Sequence, residues 1–290
     1  MNFLNIFILY FTIIICIHFF KIFKIYDQRH ITKKYDYILQ NKIKITKNHD
    51  ILHKLSNNSN IYQYGIFKSH PFKHPNDIDY YLAELRNGMT ILDVGWGLLE
   101  ASIYFSKKLP KCKIHVISNS NEKYKNEINN NIIKHDLSNK IIPHFDHYHN
   151  IGTIFNKKSL DRILFIESIN YSDDILNLLI QCKKILRKNG KIYIRTIVIP
   201  KTKNQFLKNN YDIIQKNINS NLYYHENIIH FMQKSGFTNI KYTTIPLFFS
   251  QNMNNPMFLL SLRRLGLLSI SNLIAGIPLM SATYIGTNNN

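Results

Sequence analysis

Asp93-Val94-Gly95-Trp96-Gly97 is the stretch whose residue types and spacing most plainly allow chemistry. It follows an apolar run at 91–94 and leads into a helical pattern at 98–109. A nucleotide-like ligand lying against backbone N–H groups at a helix start needs glycine there, because a Cβ would hold it away. The same pattern also serves as an ordinary βα turn, so its weight comes from what shares its location. Polar residues recur where later apolar runs end: Ser118 and Asn119, then Asp146, then Glu167 with Ser168, Asn170 and Tyr171. Each of these also suits a cap or a packed turn. His144, His147 and His149 crowd Asp146, but with 13 His spread along the chain the cluster is read as loop surface, and no metal is expected.

The elements that must position these residues follow from periodicity. The spacing predicts a helix over 77–85, strands at 91–94, Lys113–Ile117, 141–145, 162–166 and 191–199, and helices between them. Asn119 with Glu122 three residues on forms a capping-box start for the second of these helices, with Tyr124, Ile128 and Ile132 on one face. Ser172, Asp173 and Asp174 open another, whose stripe runs Ile175, Leu178, Leu179, Cys182, Ile185, Leu186 and stops at Asn189-Gly190. Strands alternating with helices at this spacing imply a doubly wound, mostly parallel α/β sheet of Rossmann-like type. Ligands of such sheets lie beyond the carboxyl ends of the strands, where Asp93, Ser118, Asn119, Asp146 and Glu167 all fall. His225–Lys234 reads as a further helix, Thr238–Pro246 as a sixth strand and 281–286 as a closing strand.

Composition sets the setting. With 290 residues, 45% of them hydrophobic, the chain can bury a substantial core. The net charge of +19 comes from lysines scattered along the whole length, without a zinc-finger, homeodomain or RNA-binding signature, so no nucleic-acid partner is expected. Cys16, Cys112 and Cys182 are too far apart and too few for a disulfide framework. Residues 3–20 are almost wholly aliphatic and aromatic, and Lys21, Lys24, Arg29, Lys33 and Lys34 follow. A run of about 18 residues just spans a hydrocarbon core of roughly 30 Å. The expectation is a single-pass anchor at 1–25, with the positive flank placing the rest of the chain in the cytosol; a buried N-terminal helix is the alternative. Residues 26–60 read as a basic juxtamembrane linker facing an anionic lipid surface, and 61–290 as one domain with an apolar insertion at about 247–280. That insertion suits either a roof over an acceptor pocket or a pair of core helices.

Between about residues 62 and 237 the order of motifs resembles the class I S-adenosylmethionine-dependent methyltransferases. Within that superfamily the likeness is to the branch holding sterol C-methyltransferases, tocopherol methyltransferases and cyclopropane fatty acid synthases. It is carried by Tyr62-Gln63-Tyr64-Gly65, by Gly88-Met89-Thr90-Ile91-Leu92-Asp93-Val94-Gly95, by Ser118-Asn119-Ser120-Asn121-Glu122, by Ile166-Glu167-Ser168 and by Leu186-Arg187-Lys188-Asn189-Gly190. Three positions depart from the pattern: Trp96 stands for a Cys or small residue, Leu99 for the third glycine, and Tyr171 for a frequent His. Leu99 implies either a reshaped pocket or weakened cofactor binding.

The resemblance implies a role for each residue. Gly95 and Gly97 admit the methionine part of S-adenosylmethionine, Asp93 orders the loop, Ser118 or Asn119 takes the ribose hydroxyls, and Asp146 meets the adenine edge. Tyr62 and Tyr64 close over the sulfonium, since aromatic faces favour a positive centre. Glu167 stabilises a carbocation or removes a proton, assisted by Tyr171. The acceptor implied is a hydrophobic small molecule such as a sterol, isoprenoid, quinone or unsaturated acyl chain. The other class of function is a non-catalytic protein of this fold, altered at Trp96 and Leu99 and acting as a membrane-bound partner or scaffold. Oligomeric state leaves no sequence signal.

Overall fold

The computed structural model describes residues 75–95, 97, 99–118, 122–203, 205, 208–209, 211–212, 215, 220–246 and 280–290. The anchor, the linker, Tyr62, Tyr64, Trp96, Asn119 and the bulk of the apolar insertion lie outside the described residues. Among the described residues, no helix is long and apolar enough to cross a membrane.

The chain enters through α1 (Pro75–Leu82) and then alternates: β1 (Thr90–Val94), α2 (Glu100–Lys108), β2 (Lys113–Ile117), α3 (Glu122–Lys134), β3 (Ile141–His144), the short α4 (Ile151–Ile154), β4 (Leu160–Ile166), α5 (Ile175–Ile185) and β5 (Leu186–Ile199). It closes with β6 (Tyr223–Tyr224), α6 (His225–Lys234), β7 (Thr238–Pro246) and β8 (Met280–Thr287). The sheet order is β3-β2-β1-β4-β5-β8-β7, with β6 beside β5. Strands β1 to β5 pair in parallel, and β8 runs antiparallel between β5 and β7. The order reverses at β1, whose neighbours are β2 on one side and β4 on the other. That is the switch point at which an open α/β sheet holds its ligands.

Period-two alternation divides the core between the two faces of the sheet. Leu92, Val94, Ile163, Phe165, Ile192 and Ile194 turn to one side, where α5 and α6 cover them with Leu178, Leu179, Cys182, Ile228 and Met232. Ile91, Ile114, Val116, Leu164 and Tyr193 turn to the other, against Ile103 and Phe105 of α2 and Ile128 and Ile132 of α3. With about 25 cal/mol per Å² of apolar surface removed from water, these two layers supply the main force holding the strand ends in register.

Two boundaries differ from the expectation. The first helix starts and stops earlier, at Pro75 and Leu82, because proline fits the first turn of a helix. Helix α5 ends at Ile185 rather than at Asn189-Gly190, and β5 begins at Leu186 with a bulge against β4 between Leu160 and Arg162. Distant donors close α5 early: the backbone N–H of Lys158 reaches Lys184 O at 3.2 Å and that of Ser159 reaches Ile185 O at 2.9 Å. Asn288 Nδ2 adds bonds to Lys183 O, Leu186 O and Arg187 O at 3.2, 3.0 and 3.2 Å.

Candidate functional site

Hydrogen bonds sew the carboxyl ends of the five parallel strands into one rim. Gly95 N donates to Ile117 O at 2.9 Å, joining β1 to β2, and Ser118 N donates to His144 O at 3.3 Å, joining β2 to β3. Ser168 Oγ donates to Val94 O, joining β4 to β1, and Glu167 N donates to Arg195 O at 2.8 Å, joining β4 to β5. The loop after β3 reaches the loop after β4 through His149 Nε2 and Ser172 Oγ, 3.2 Å apart. Asp93, Gly95, Ser118, Asp146 and Glu167 therefore share one edge of the molecule.

The glycines differ in why they are needed. Gly95 has φ +78°, and a Cβ there would meet Ser168 Cβ at 2.5 Å, so the loop can rest on the β4 terminus only without a side chain. Gly97 has φ +53°, with nothing among the described residues within 4 Å of a Cβ position. Its exposed, uncrowded backbone is the open face of the turn. Leu99 adopts a left-handed backbone, at φ 69°, while its side chain is fully buried in the cluster that holds Ile91, Ile103 and Phe105. The leucine goes into the core at a backbone cost of about 1–2 kcal/mol for a left-handed non-glycine residue.

Asp93 is buried, and Ser102 Oγ donates to its Oδ2 at 2.6 Å, tying the end of β1 to α2 beneath the glycine turn. Burial pushes its carboxyl up to about 6; the Ser102 hydrogen bond opposes this and nearby Asp79 adds to it. Asp146 is exposed, and its Oδ1 accepts from His147 N at 2.6 Å and from Asn150 Nδ2 at 2.9 Å, which fixes the short turn Tyr148–Asn150. His147 stacks on His149 with ring centres 5.0 Å apart. His144 leaves that loop altogether: its Nε2 lies 2.9 Å from His115 Nδ1, with Phe155 edge-on to both rings. Among the described residues no group of three or more His, Cys, Asp and Glu could hold a metal ion.

Glu167, with φ 56°, accepts from Arg195 Nη1 at 3.0 Å through Oε1. Arg195 is wholly buried on β5 and also grips Asp79 of α1, with Nε to Oδ1 at 2.7 Å and Nη2 to Oδ2 at 3.0 Å. Tyr193 Oη donates to the same Asp79 Oδ1 at 2.8 Å. Burial alone would favour a neutral guanidine, but Asp79 and Glu167 outweigh it and hold Arg195 firmly charged. Sequence reasoning missed both Asp79 and Arg195. The signal was an arginine inside the apolar run Ile192-Tyr193-Ile194-Arg195-Thr196-Ile197, a position that demands a buried carboxylate partner. Tyr171 is about half exposed at the end of the Ile169–Tyr171 turn, on the same rim.

The donors present suit a cofactor with an amino-acid end and a nucleoside end. The rim offers an uncrowded glycine backbone at Gly97, a half-buried hydroxyl at Ser118 and an exposed carboxylate at Asp146.

Comparisons with known proteins agree with this fold. Solved structures of similar fold include a candidate sarcosine dimethylglycine methyltransferase from Galdieria sulphuraria, with TM-score 0.66 and 15% identity over 83% of this chain and 98% of the other. The [4+2]-cyclase SpnF matches with TM-score 0.61 and 10% identity over 81% of this chain and 91% of its own. A geranyl diphosphate methyltransferase in complex with S-adenosylmethionine matches with TM-score 0.58 and 14% identity over 73% and 85%. No curated protein sequence matches the chain. The family profile described as "Methyltransferase domain" matches residues 73–242, well over half of the chain. The chain therefore belongs to the methyltransferase-domain family.

Proposed function

We propose that this enzyme transfers a methyl group from S-adenosylmethionine to a hydrophobic small molecule at a membrane surface. What supports the reading most is the stitched rim, which puts a glycine turn, a hydroxyl and two carboxylates around one switch point. When bound, S-adenosylmethionine supplies an activated methyl group on a positively charged sulfur. Gly95 and Gly97 admit its methionine end to the backbone, and Asp93, pinned by Ser102, keeps that turn in shape. Ser118 or Asn119 would take the ribose hydroxyls, and Asp146 would take the adenine edge. Tyr62 and Tyr64 are assigned the sulfonium, since aromatic ring faces favour positive charge. Placing acceptor and donor in contact supplies most of the rate gain in such a displacement.

Glu167 faces the acceptor and Tyr171 assists it. Arg195 holds Glu167 from below, so the carboxylate is an oriented anion that stabilises a developing cation or takes a proton from it. An isoprenoid, sterol, quinone or unsaturated acyl chain fits this chemistry, and geranyl diphosphate, named for the fold neighbour, is one such acceptor. The apolar run at 3–20 and the basic flank behind it favour a single-pass anchor with the enzyme on the cytosolic side. The domain limits at 1–25, 26–60 and 61–290, and the insertion at about 247–280 as the acceptor roof, complete the proposal. The test is Glu167→Gln, with methyl transfer to membrane lipid extracts and cofactor binding measured side by side. Turnover lost by at least about 100-fold with binding spared is the expected result. Equal turnover in the variant would remove Glu167 from the chemistry.

A further inference from the structure

At the opposite edge of the sheet, where β4 and β5 begin, lies a cavity of about 380 Å³ lined by Lys157, Lys158, Lys183, Lys184, Ser235 and Asn288, with Ile180, Leu186 and Asn290. We infer that this pocket binds a phosphate group, remote from the methyl-transfer site. Four of its nine lining residues are lysines and none is Asp or Glu, in a chain with 37 Lys and Arg among 290 residues. Its volume falls in the range of about 300–1,000 Å³ usual for small-molecule sites, so a phosphate can enter with an organic group attached.

Capping α5 does not occupy these lysines. Basic side chains at a helix C-terminus commonly serve its carbonyls, and Lys183 and Lys184 stand in the last turn of α5. Those carbonyls are already met by Asn288 Nδ2 and by the backbone N–H groups of Lys158 and Ser159. Ion pairs do not take them either. Asp161, the nearest acid along the chain, holds Arg187 Nη1 at 2.8 Å through both oxygens. Elsewhere Lys108, Lys125 and Lys191 each pair with a carboxylate, whereas no carboxylate among the described residues pairs with the pocket lysines. Gly236, with φ +81°, leaves Lys183 room to lie across the end of α6, since a Cβ there would sit 2.4 Å from Lys183 Nζ. Four lysines border the pocket, and phosphate is the anion whose oxygens suit several ammonium donors at once.

The experiment titrates the full chain in mild detergent with pyrophosphate at constant ionic strength, by calorimetry and by the shift in unfolding temperature. Lys157→Gln/Lys184→Gln changes two exposed pocket residues, and Lys107→Gln/Lys134→Gln makes the same charge change on α2 and α3. The wild type and the α2/α3 variant should bind alike, and the pocket variant at least about tenfold more weakly. A second arm floats phosphatidylcholine vesicles with and without phosphatidic acid. Flotation that needs phosphatidic acid, is lost in the pocket variant and is displaced by pyrophosphate identifies a lipid headgroup as the source. A pyrophosphate difference without a vesicle difference identifies a soluble phosphate compound. Equal pyrophosphate binding by all three proteins, or no saturable binding by the wild type, overturns the site.

Discussion

Two halves of the same rim hold buried carboxylates by different means. Under β1, Asp93 is met by the neutral hydroxyl of Ser102; under β4 and β5, Asp79 and Glu167 share the charged Arg195. The first arrangement leaves a carboxyl that takes up a proton near neutral pH. The second fixes charge and orientation at the cost of desolvating three groups. A floor that holds a loop can tolerate a labile proton, whereas the role proposed for Glu167 requires a carboxylate that keeps its direction. The β1 half thus shapes the glycine turn, and the β4–β5 half holds Glu167.

Removing the guanidinium should break this contrast most severely. Arg195→Met strands Asp79 and Glu167 without a partner, and a loss of about 3–5 kcal/mol in urea unfolding is expected. Arg195→Lys, which keeps the charge but not the fork, should lose less. Stability unchanged in Arg195→Met would show that the network carries no weight.

The β1 half is sharpened by pH. Asp93 stands at about 6 when folded against an ordinary 3.8, so the folded chain keeps a proton that the unfolded chain gives up. Stability contributed by that group is present below about pH 4, declines as pH rises towards 6, and is gone above it. The decline amounts to up to about 3 kcal/mol for a fully buried group. Asp93→Asn should remove this slope while keeping a carbonyl acceptor for Ser102. A difference in stability between the two proteins that stays constant from pH 4 to 7 would contradict the assignment.

The glycine turn links the two halves and gives the smallest effect. Gly95→Ala must push Ser168 aside and adopt φ +78°, costing about 2–3 kcal/mol, whereas Gly97→Ala meets open space and should cost about 1 kcal/mol for its backbone alone. Equal unfolding free energies for the two variants would mean that the Gly95–Ser168 contact does not constrain the loop.

The elements that alternate along the chain were readable because each is local. A strand with period two, such as Lys113–Ile117, or an apolar stripe such as Ile175, Leu178, Leu179 and Cys182 states its own partner face. The rim was readable for the same reason, since strand ends are positions in a local pattern. What escaped were pairings across the chain. Arg195 and Asp79 are 116 residues apart, and nothing near either names the other. The end of α5 was misplaced because Asn189-Gly190 is a strong local stop, yet Asn288, about 100 residues on, caps the helix sooner. That Leu99 is buried was likewise not legible, because residue type alone does not say which way a side chain turns.

The measurement that bears most directly on the central claim is calorimetric titration of the full chain with S-adenosylmethionine. The account predicts one-to-one binding with a Kd between about 1 µM and 1 mM, retained in Glu167→Gln. No binding heat at millimolar cofactor would contradict it and leave the rim a scaffold without a donor.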